Sequence, residues 1–140
     1  MPAPTIAKTL KFKAVLFDFD GTLLPSLPLW VKAYHLALRH FGITLPDQDV
    51  IARCFFRDLD DIARDLDIGS GERLRLRLEA ALPEAFLDAQ LFPLARQILE
   101  HCRAHGLQTA LVTSSPRSLL SGGLPRLELA DLFDFVIAGD

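Results

Sequence analysis

The stretch Ala14-Val15-Leu16-Phe17, followed at once by Asp18-Phe19-Asp20-Gly21-Thr22-Leu23, constrains the fold more than any other part of the sequence. A short apolar run that ends in acids and a glycine is the pattern of a buried strand feeding a loop. The apolar runs Thr109-Ala110-Leu111-Val112 and Phe133 to Ala138 read as two further strands, with helical segments between them. Strands alternating with helices predict a doubly wound α/β core around a parallel sheet, where ligands are met at the carboxyl ends of the strands. Asp18 and Asp20 are therefore expected at the binding edge of the sheet.

The connecting segments carry helix signals. Ser26 predicts a cap and Pro28 a first turn, and Trp30, Tyr34, Ala37 and Phe41 recur at helical spacing until Gly42. Further helices are expected from Pro46-Asp47 to about Arg57, and through Leu59, Ile62, Ala63 and Leu66 to Gly69-Ser70-Gly71. The segment Arg73-Leu74-Arg75-Leu76-Arg77-Leu78 alternates with period two, as a strand does, yet leucine and arginine are strong helix formers, and it is assigned to a helix. Pro93 and Gly106 bracket a helix from about Leu94 to His105. Ser115 and Pro116 look like the cap and first position of a last helix, expected to break at Ser121-Gly122-Gly123-Leu124-Pro125.

Half of the 140 residues are apolar and 24% are charged, a globular rather than disordered balance. A formal charge of −3, with arginines interleaved among acids and leucines, supplies no basic field for a nucleic-acid backbone, and no nucleic-acid partner is expected. Cys54 and Cys102 lie far apart without CxxC spacing, so neither a disulfide framework nor a thiolate zinc site is suggested, and a reducing, cytoplasmic setting fits. The opening residues Met1 to Lys13 lack an apolar stretch of signal-peptide length, and no run approaches the roughly 18 apolar residues of a membrane span. A soluble chain without a membrane association is expected.

Two acids so close together suit a hard cation with oxygen ligands. Asp18 can lie against both a metal and a substrate phosphorus, while Asp20, two residues on, can reach a leaving-group oxygen as a proton donor. Most Asp-Gly pairs after a strand are plain turn residues. Here the uninterrupted D-x-D-G-T-L string closely resembles the first motif of the haloacid dehalogenase superfamily, and the resemblance extends over the whole chain. It implies a Rossmann-like core in which Asp18 is the nucleophile that forms an aspartyl-phosphate and binds Mg²⁺. Asp20 would be the general acid and then the base for the hydrolytic water, with its backbone carbonyl on the metal. Members of the family that cleave carbon–halogen bonds lack an acid at that place, so Asp20 points to phosphoryl transfer.

The run Ala110-Leu111-Val112-Thr113-Ser114-Ser115 is similar to the family's second motif. That likeness implies that the Thr113 hydroxyl and the Ser114 backbone N–H bind a phosphoryl oxygen, as donors at a strand end beside a helix N-terminus can. About 95 residues separate Asp18 from Thr113, far more than one crossover helix needs. By resemblance the excess is a helical cap, residues 25–91, inserted into a discontinuous core of residues 1–24 and 92–140. Phosphoglycolate phosphatase-like and β-phosphoglucomutase-like members share that arrangement. The implied activity is Mg²⁺-dependent hydrolysis of a small phosphorylated metabolite. A sugar-phosphate mutase on the same scaffold, or a non-catalytic fragment or decayed member, are the alternatives.

Where many relatives have an aspartate in a D-G-T-L-x-D-S stretch, this chain has Pro25 followed by Ser26, which leaves the substrate open. The family's third motif, a lysine, and its fourth, an acidic pair, normally lie beyond the third strand. The sequence reaches Asp140 first, so the resemblance implies a C-terminally incomplete and catalytically impaired chain. In the family's strand order of three, two, one, four, five, Val15, Leu16 and Phe17 would form an exposed apolar sheet edge, and self-association through it is expected.

Other candidates have plainer explanations. His101 and His105 share a helical face beside Cys102, but cations in a last helical turn are favoured by the helix dipole and no third ligand is evident. Gly69-Ser70-Gly71 lacks the lysine of a phosphate-binding loop and reads as a turn. Arg117 reads as an exposed first-turn residue. Arg53 and Arg57 are expected to pair with Asp58, Asp60 or Asp61 on the surface.

Overall fold

A computed structural model describes residues 12–140. The expectation that the opening segment carries no signal sequence concerns residues that lie mostly outside this range. Among the described residues the first element is strand β1 (Ala14–Phe17), followed by four helices, α1 (Leu27–Arg39), α2 (Asp47–Cys54), α3 (Leu59–Asp65) and α4 (Gly71–Ala85). Helix α5 (Ala95–Ala104) leads into β2 (Gln108–Val112), and α6 (Arg117–Arg126) with a 3₁₀ turn at Ala130–Leu132 leads into β3 (Phe135–Ile137). The sheet is parallel, in the order β1-β2-β3, with Leu16 opposite Ala110 and Leu111 opposite Val136. This is the α/β architecture that the alternating pattern predicts.

The period of the sheet divides its side chains into two faces. Val15 and Phe17 of β1 share one face with Thr109 and Leu111 of β2. Here Thr109 and Leu111 are completely buried, α5 packs against β2, and Phe17 meets the buried Phe133 edge-on at 6.3 Å. Val15 and Phe17 are thus partly covered rather than bare, unlike Leu16. The opposite face presents Leu16, Val112, Phe135 and Ile137, which are 67%, 38%, 58% and 57% exposed.

Between β1 and β2 the helices form their own layer. α1 packs along α4, and α3 and α2 pack against α4 and α1. The alternating segment is helical because Leu74 and Leu78, one turn apart, both turn inward, while Leu76 is left exposed. Ser70 caps α4 by accepting from the Arg73 N–H.

Two expectations need correction. Helix α6 does not break at the glycine pair but runs on to Arg126, with Pro125 in its last turn. Burial of Leu119, Leu120 and Leu124 on one face offsets the weak helix propensity of Gly122 and Gly123. Arg53 and Arg57 do form surface ion pairs, but both with Asp65, at 3.0 and 3.3 Å, because α3 packs with its C-terminal end beside them. The two cysteines are free and buried, and among the described residues no helix is long and apolar enough to cross a membrane.

Candidate functional site

β1 delivers Asp18 and Asp20 just past its carboxyl end. Phe19 between them is completely buried and anchors the loop, so the flanking carboxylates are turned the other way, towards a common cavity. The chain then reverses at Gly21, whose φ of +70° lies in the left-handed region that an L side chain resists. Hydrogen bonds from Gly21 N–H to the Leu24 carbonyl (2.9 Å) and from Leu23 N–H to the Phe19 carbonyl (3.0 Å) close this loop. The Phe92 N–H, donating to the Leu23 carbonyl at 2.8 Å, ties it to the segment before α5.

The two carboxylates have different surroundings. Asp18 is exposed, and one of its oxygens accepts the Phe19 N–H at 2.7 Å. Its second oxygen accepts no hydrogen bond among the described residues. Asp20 is held on both oxygens: the Trp30 indole N–H donates to Oδ1 at 2.8 Å, and the Ser115 hydroxyl contacts Oδ2. An indole N–H is a donor only, whereas a hydroxyl both donates and accepts. Trp30 thus occupies Oδ1 in a fixed sense, and Ser115 can follow either protonation state of Oδ2.

β2 brings the second group of residues. Thr113 is buried, and its hydroxyl accepts the Ser115 N–H at 3.1 Å. Ser114 and Ser115 line the same cavity as Asp18 and Asp20, while Thr113 sits behind them and is not part of the lining. The Ser114 N–H donates no hydrogen bond among the described residues. The turn is clamped from β3: the Gly139 N–H donates to the Ser115 carbonyl at 3.0 Å, and a Cβ on Gly139 would lie 2.1 Å from the Ser114 carbonyl oxygen. Only glycine permits that approach. The Asp140 carboxylate accepts the Arg117 N–H at 2.8 Å and so caps α6, a role the sequence suggested for Ser115 instead.

The cavity measures about 650 Å³. Its far wall comes from the helical layer: Ser26, Leu27, Trp30 and Tyr34 from α1 and its start, and Cys54, Phe55, Phe56 and Arg57 from the α2–α3 connection. Burial raises the Tyr34 phenol to about 12, with the neighbouring Cys54 adding to the shift, so it stays protonated and donates to the Cys54 carbonyl at 3.1 Å. Burial also pushes the Cys54 thiol up, which leaves it a poor nucleophile. Asp18, by contrast, is exposed at the cavity with one carboxylate oxygen unbonded among the described residues.

Among the described residues no three His, Cys, Asp or Glu side chains cluster to hold a metal. The donors at the end of β1 are nevertheless those a magnesium ion takes. One carboxylate oxygen of Asp18 is free, and the Asp20 backbone carbonyl accepts no hydrogen bond among the described residues. Magnesium commonly binds one or two such oxygens and completes its shell with water and substrate phosphate.

Trp30, Ser115, Phe55 and Phe56 are site-lining residues that sequence reasoning did not single out. Trp30 lies on an amphipathic stripe that reads as core, and Ser115 reads as a helix cap. For Phe55 and Phe56 the only signal is two adjacent aromatics in a connection between short helices.

Comparison with known proteins gives a consistent result. The family described as haloacid dehalogenase-like hydrolase matches residues 15–140. The phosphoglycolate phosphatase of Yersinia pseudotuberculosis is 30% identical over 143 aligned residues, covering 94% of this chain and 62% of that protein. A phosphorylated carbohydrates phosphatase of Thermotoga maritima is 28% identical over 134 residues, covering 91% and 62%. The crystal structure of a predicted phosphoglycolate phosphatase from Haemophilus somnus has a TM-score of 0.76 at 20% identity, covering 92% of this chain and 63% of that one, a likeness of fold. The chain spans about 62% of the length of the curated relatives it matches.

Proposed function

The chain belongs to the haloacid dehalogenase-like hydrolase family, and on that premise we propose that it is a phosphomonoester hydrolase working through Asp18 on a small phosphorylated metabolite. The observation that carries this reading is the shared cavity, lined by both carboxylates from the end of β1 and by Ser114 and Ser115 from the end of β2. We further propose that residues 25–91 act as a cap over a core of residues 1–24 and 92–140, excluding water while the phosphorylated enzyme forms.

The free oxygen of Asp18 attacks phosphorus, and the ester P–O bond breaks. Asp20 gives its proton to the departing oxygen. Because the donor-only Trp30 occupies Oδ1, that proton resides on Oδ2, beside Ser115. Asp20, now ionised, takes a proton from a water that attacks the aspartyl-phosphate. The bond between phosphorus and the Asp18 oxygen breaks, releasing inorganic phosphate and restoring both carboxyl groups. The Ser115 hydroxyl donates to Asp20 in one half of the cycle and accepts from it in the other. The Ser114 N–H steadies a phosphoryl oxygen, and Thr113, behind the lining, supports it by fixing the turn through its hydroxyl, which accepts the Ser115 N–H. Asp18 and the Asp20 carbonyl would hold Mg²⁺, which when bound neutralises phosphate charge.

Hydrolysis of an aryl phosphate by the purified protein in the presence of Mg²⁺ tests the reading. Asp18→Asn is expected to lower turnover by at least about a thousandfold. Unchanged turnover in that variant would remove Asp18 from the nucleophile's role. Inorganic phosphate as the sole product from a hexose 1-phosphate would separate a hydrolase from a mutase.

A further inference from the structure

We infer that the site takes a phosphate ester whose leaving group is a ring with an apolar face, gripped by Phe56; this rests on the phosphomonoester hydrolase reading above. Phe56 is completely solvent-exposed and has a φ of +56°. A bulky side chain in the left-handed region is strained, and glycine, asparagine or aspartate would fit there at less cost. An exposed ring recovers nothing through burial. Burial therefore accounts for neither the backbone conformation nor the residue type. Leu94 shares both features, a φ of +70° and an exposed side chain, away from the cavity. What sets Phe56 apart is that its strain lies at the cavity, and strain of this kind collects at ligand sites.

The surroundings of Phe56 say what the ring meets. It lines the cavity that holds Asp18 and Asp20. Behind it stands Phe55, edge-on at 6.3 Å, and behind Phe55 stands Tyr34 at 5.6 Å, anchored in turn by its hydrogen bond to the Cys54 carbonyl. Trp30 adds a fourth aromatic wall and is itself packed edge-on against Phe86 at 5.4 Å. The rigid rings thus run from the helical core to the cavity and end in the one that is bare.

Charge at the cavity argues against a small, doubly anionic substrate. Arg57 is the one cation among the described lining residues, and its guanidinium already donates to the Arg53 carbonyl at 2.8 Å and to Asp65 at 3.3 Å. Asp65 is held below the usual carboxylate range, first by its hydrogen bond from Arg53 and then by that from Arg57. A phosphate ester carrying a carboxylate as a second anionic group, as phosphoglycolate does, would have to compete with Asp65 for that cation. A ring with an apolar face needs no second cation and gains from stacking on Phe56.

Calorimetric titration of the purified protein in Mg²⁺ with four phosphonates decides the matter. Phenylphosphonate presents a flat ring, cyclohexylphosphonate a puckered one with a C–H face, phosphonoacetate a carboxylate, and methylphosphonate only the phosphonate group. At least one ring probe is expected to bind roughly fivefold or more tightly than phosphonoacetate, and which of the two binds tighter identifies the ring type. Phe56→Ala should bring the ring probe down to the level of methylphosphonate while leaving phosphonoacetate unchanged, and Phe56→Tyr should restore it. Methylphosphonate binding with no ring preference, or an equal loss for every probe in Phe56→Ala, would overturn this inference and leave the hydrolase reading standing. No binding of any phosphonate would overturn both.

Discussion

In the layer formed by α1 to α4, apolar side chains find their partners within the layer itself: Val50, Ile62, Ala63 and Leu74 are all at or below 1% exposure. The sheet offers a contrast. One of its faces is covered by α5 and the 3₁₀ turn region, while the other presents Leu16, Phe135 and Ile137 to solvent. Burial in the helical layer is thus local and mutual, whereas the sheet is stabilised from one side. The difference separates two consequences that apolar residues can have: those in the helical layer are expected to set stability, and those on the bare side of the sheet to set association.

The largest effect expected from this contrast is in the helical layer. Leu74→Ala leaves a cavity among α1, α3 and α4 and should cost about 2–5 kcal/mol in urea unfolding. A loss comparable to that of a surface substitution would show that the layer is not packed as described.

A smaller effect is expected at the covered side of the sheet. Asp134 accepts the Thr109 N–H at 2.8 Å and the Arg103 guanidinium at 3.0 Å. The backbone hydrogen bond first, and the arginine after it, hold its carboxyl below the usual range. The unfolded chain therefore binds this proton more readily than the folded one. The stability from Asp134 is present above the ordinary carboxylate value of about 4 and is lost as pH falls through the lowered value. Thermal unfolding of the wild type and Asp134→Asn should differ most above about pH 4, with the gap closing in more acidic solution. A gap that is constant with pH would remove the ionised carboxylate as its cause.

The smallest change in stability is expected on the bare face. Leu16→Lys should alter unfolding by no more than about 0.5 kcal/mol, because the side chain gives up little burial. Its effect should appear in light scattering instead. The unsubstituted chain is expected to self-associate along β1, the edge strand on which Leu16 lies, and the lysine to shift it towards the monomer. A wild type that stays monomeric would refute the association.

What could be read in the sequence follows the range of the forces involved. Strand β1 and the delivery of two carboxylates at its end are local, and the residues Ala14 to Gly21 carry them in plain view. The helical assignment of Arg73 to Leu78 also succeeded locally, through residue type rather than period. The continuation of α6 through its glycines was not legible, since it depends on Leu119, Leu120 and Leu124 finding a surface to bury against. The pairing of Arg53 and Arg57 with Asp65 depends on the angle at which α2 meets α3, which sequence distance does not encode. At the site, the grip of Trp30 and Ser115 on Asp20 joins residues 10 and 95 positions away, each with an ordinary local explanation that hides its role.

Trp30 is the only tryptophan in the sequence, and its indole N–H is bonded to Asp20, the carboxylate proposed to transfer the proton. Indole emission responds to the charge and hydration of whatever its N–H touches. The chain thus carries its own optical probe at Asp20. A ligand that enters the cavity, a proton that moves onto Oδ2, or a shift of α1 away from the β1 loop should each register as a change in emission colour or intensity, with no label attached.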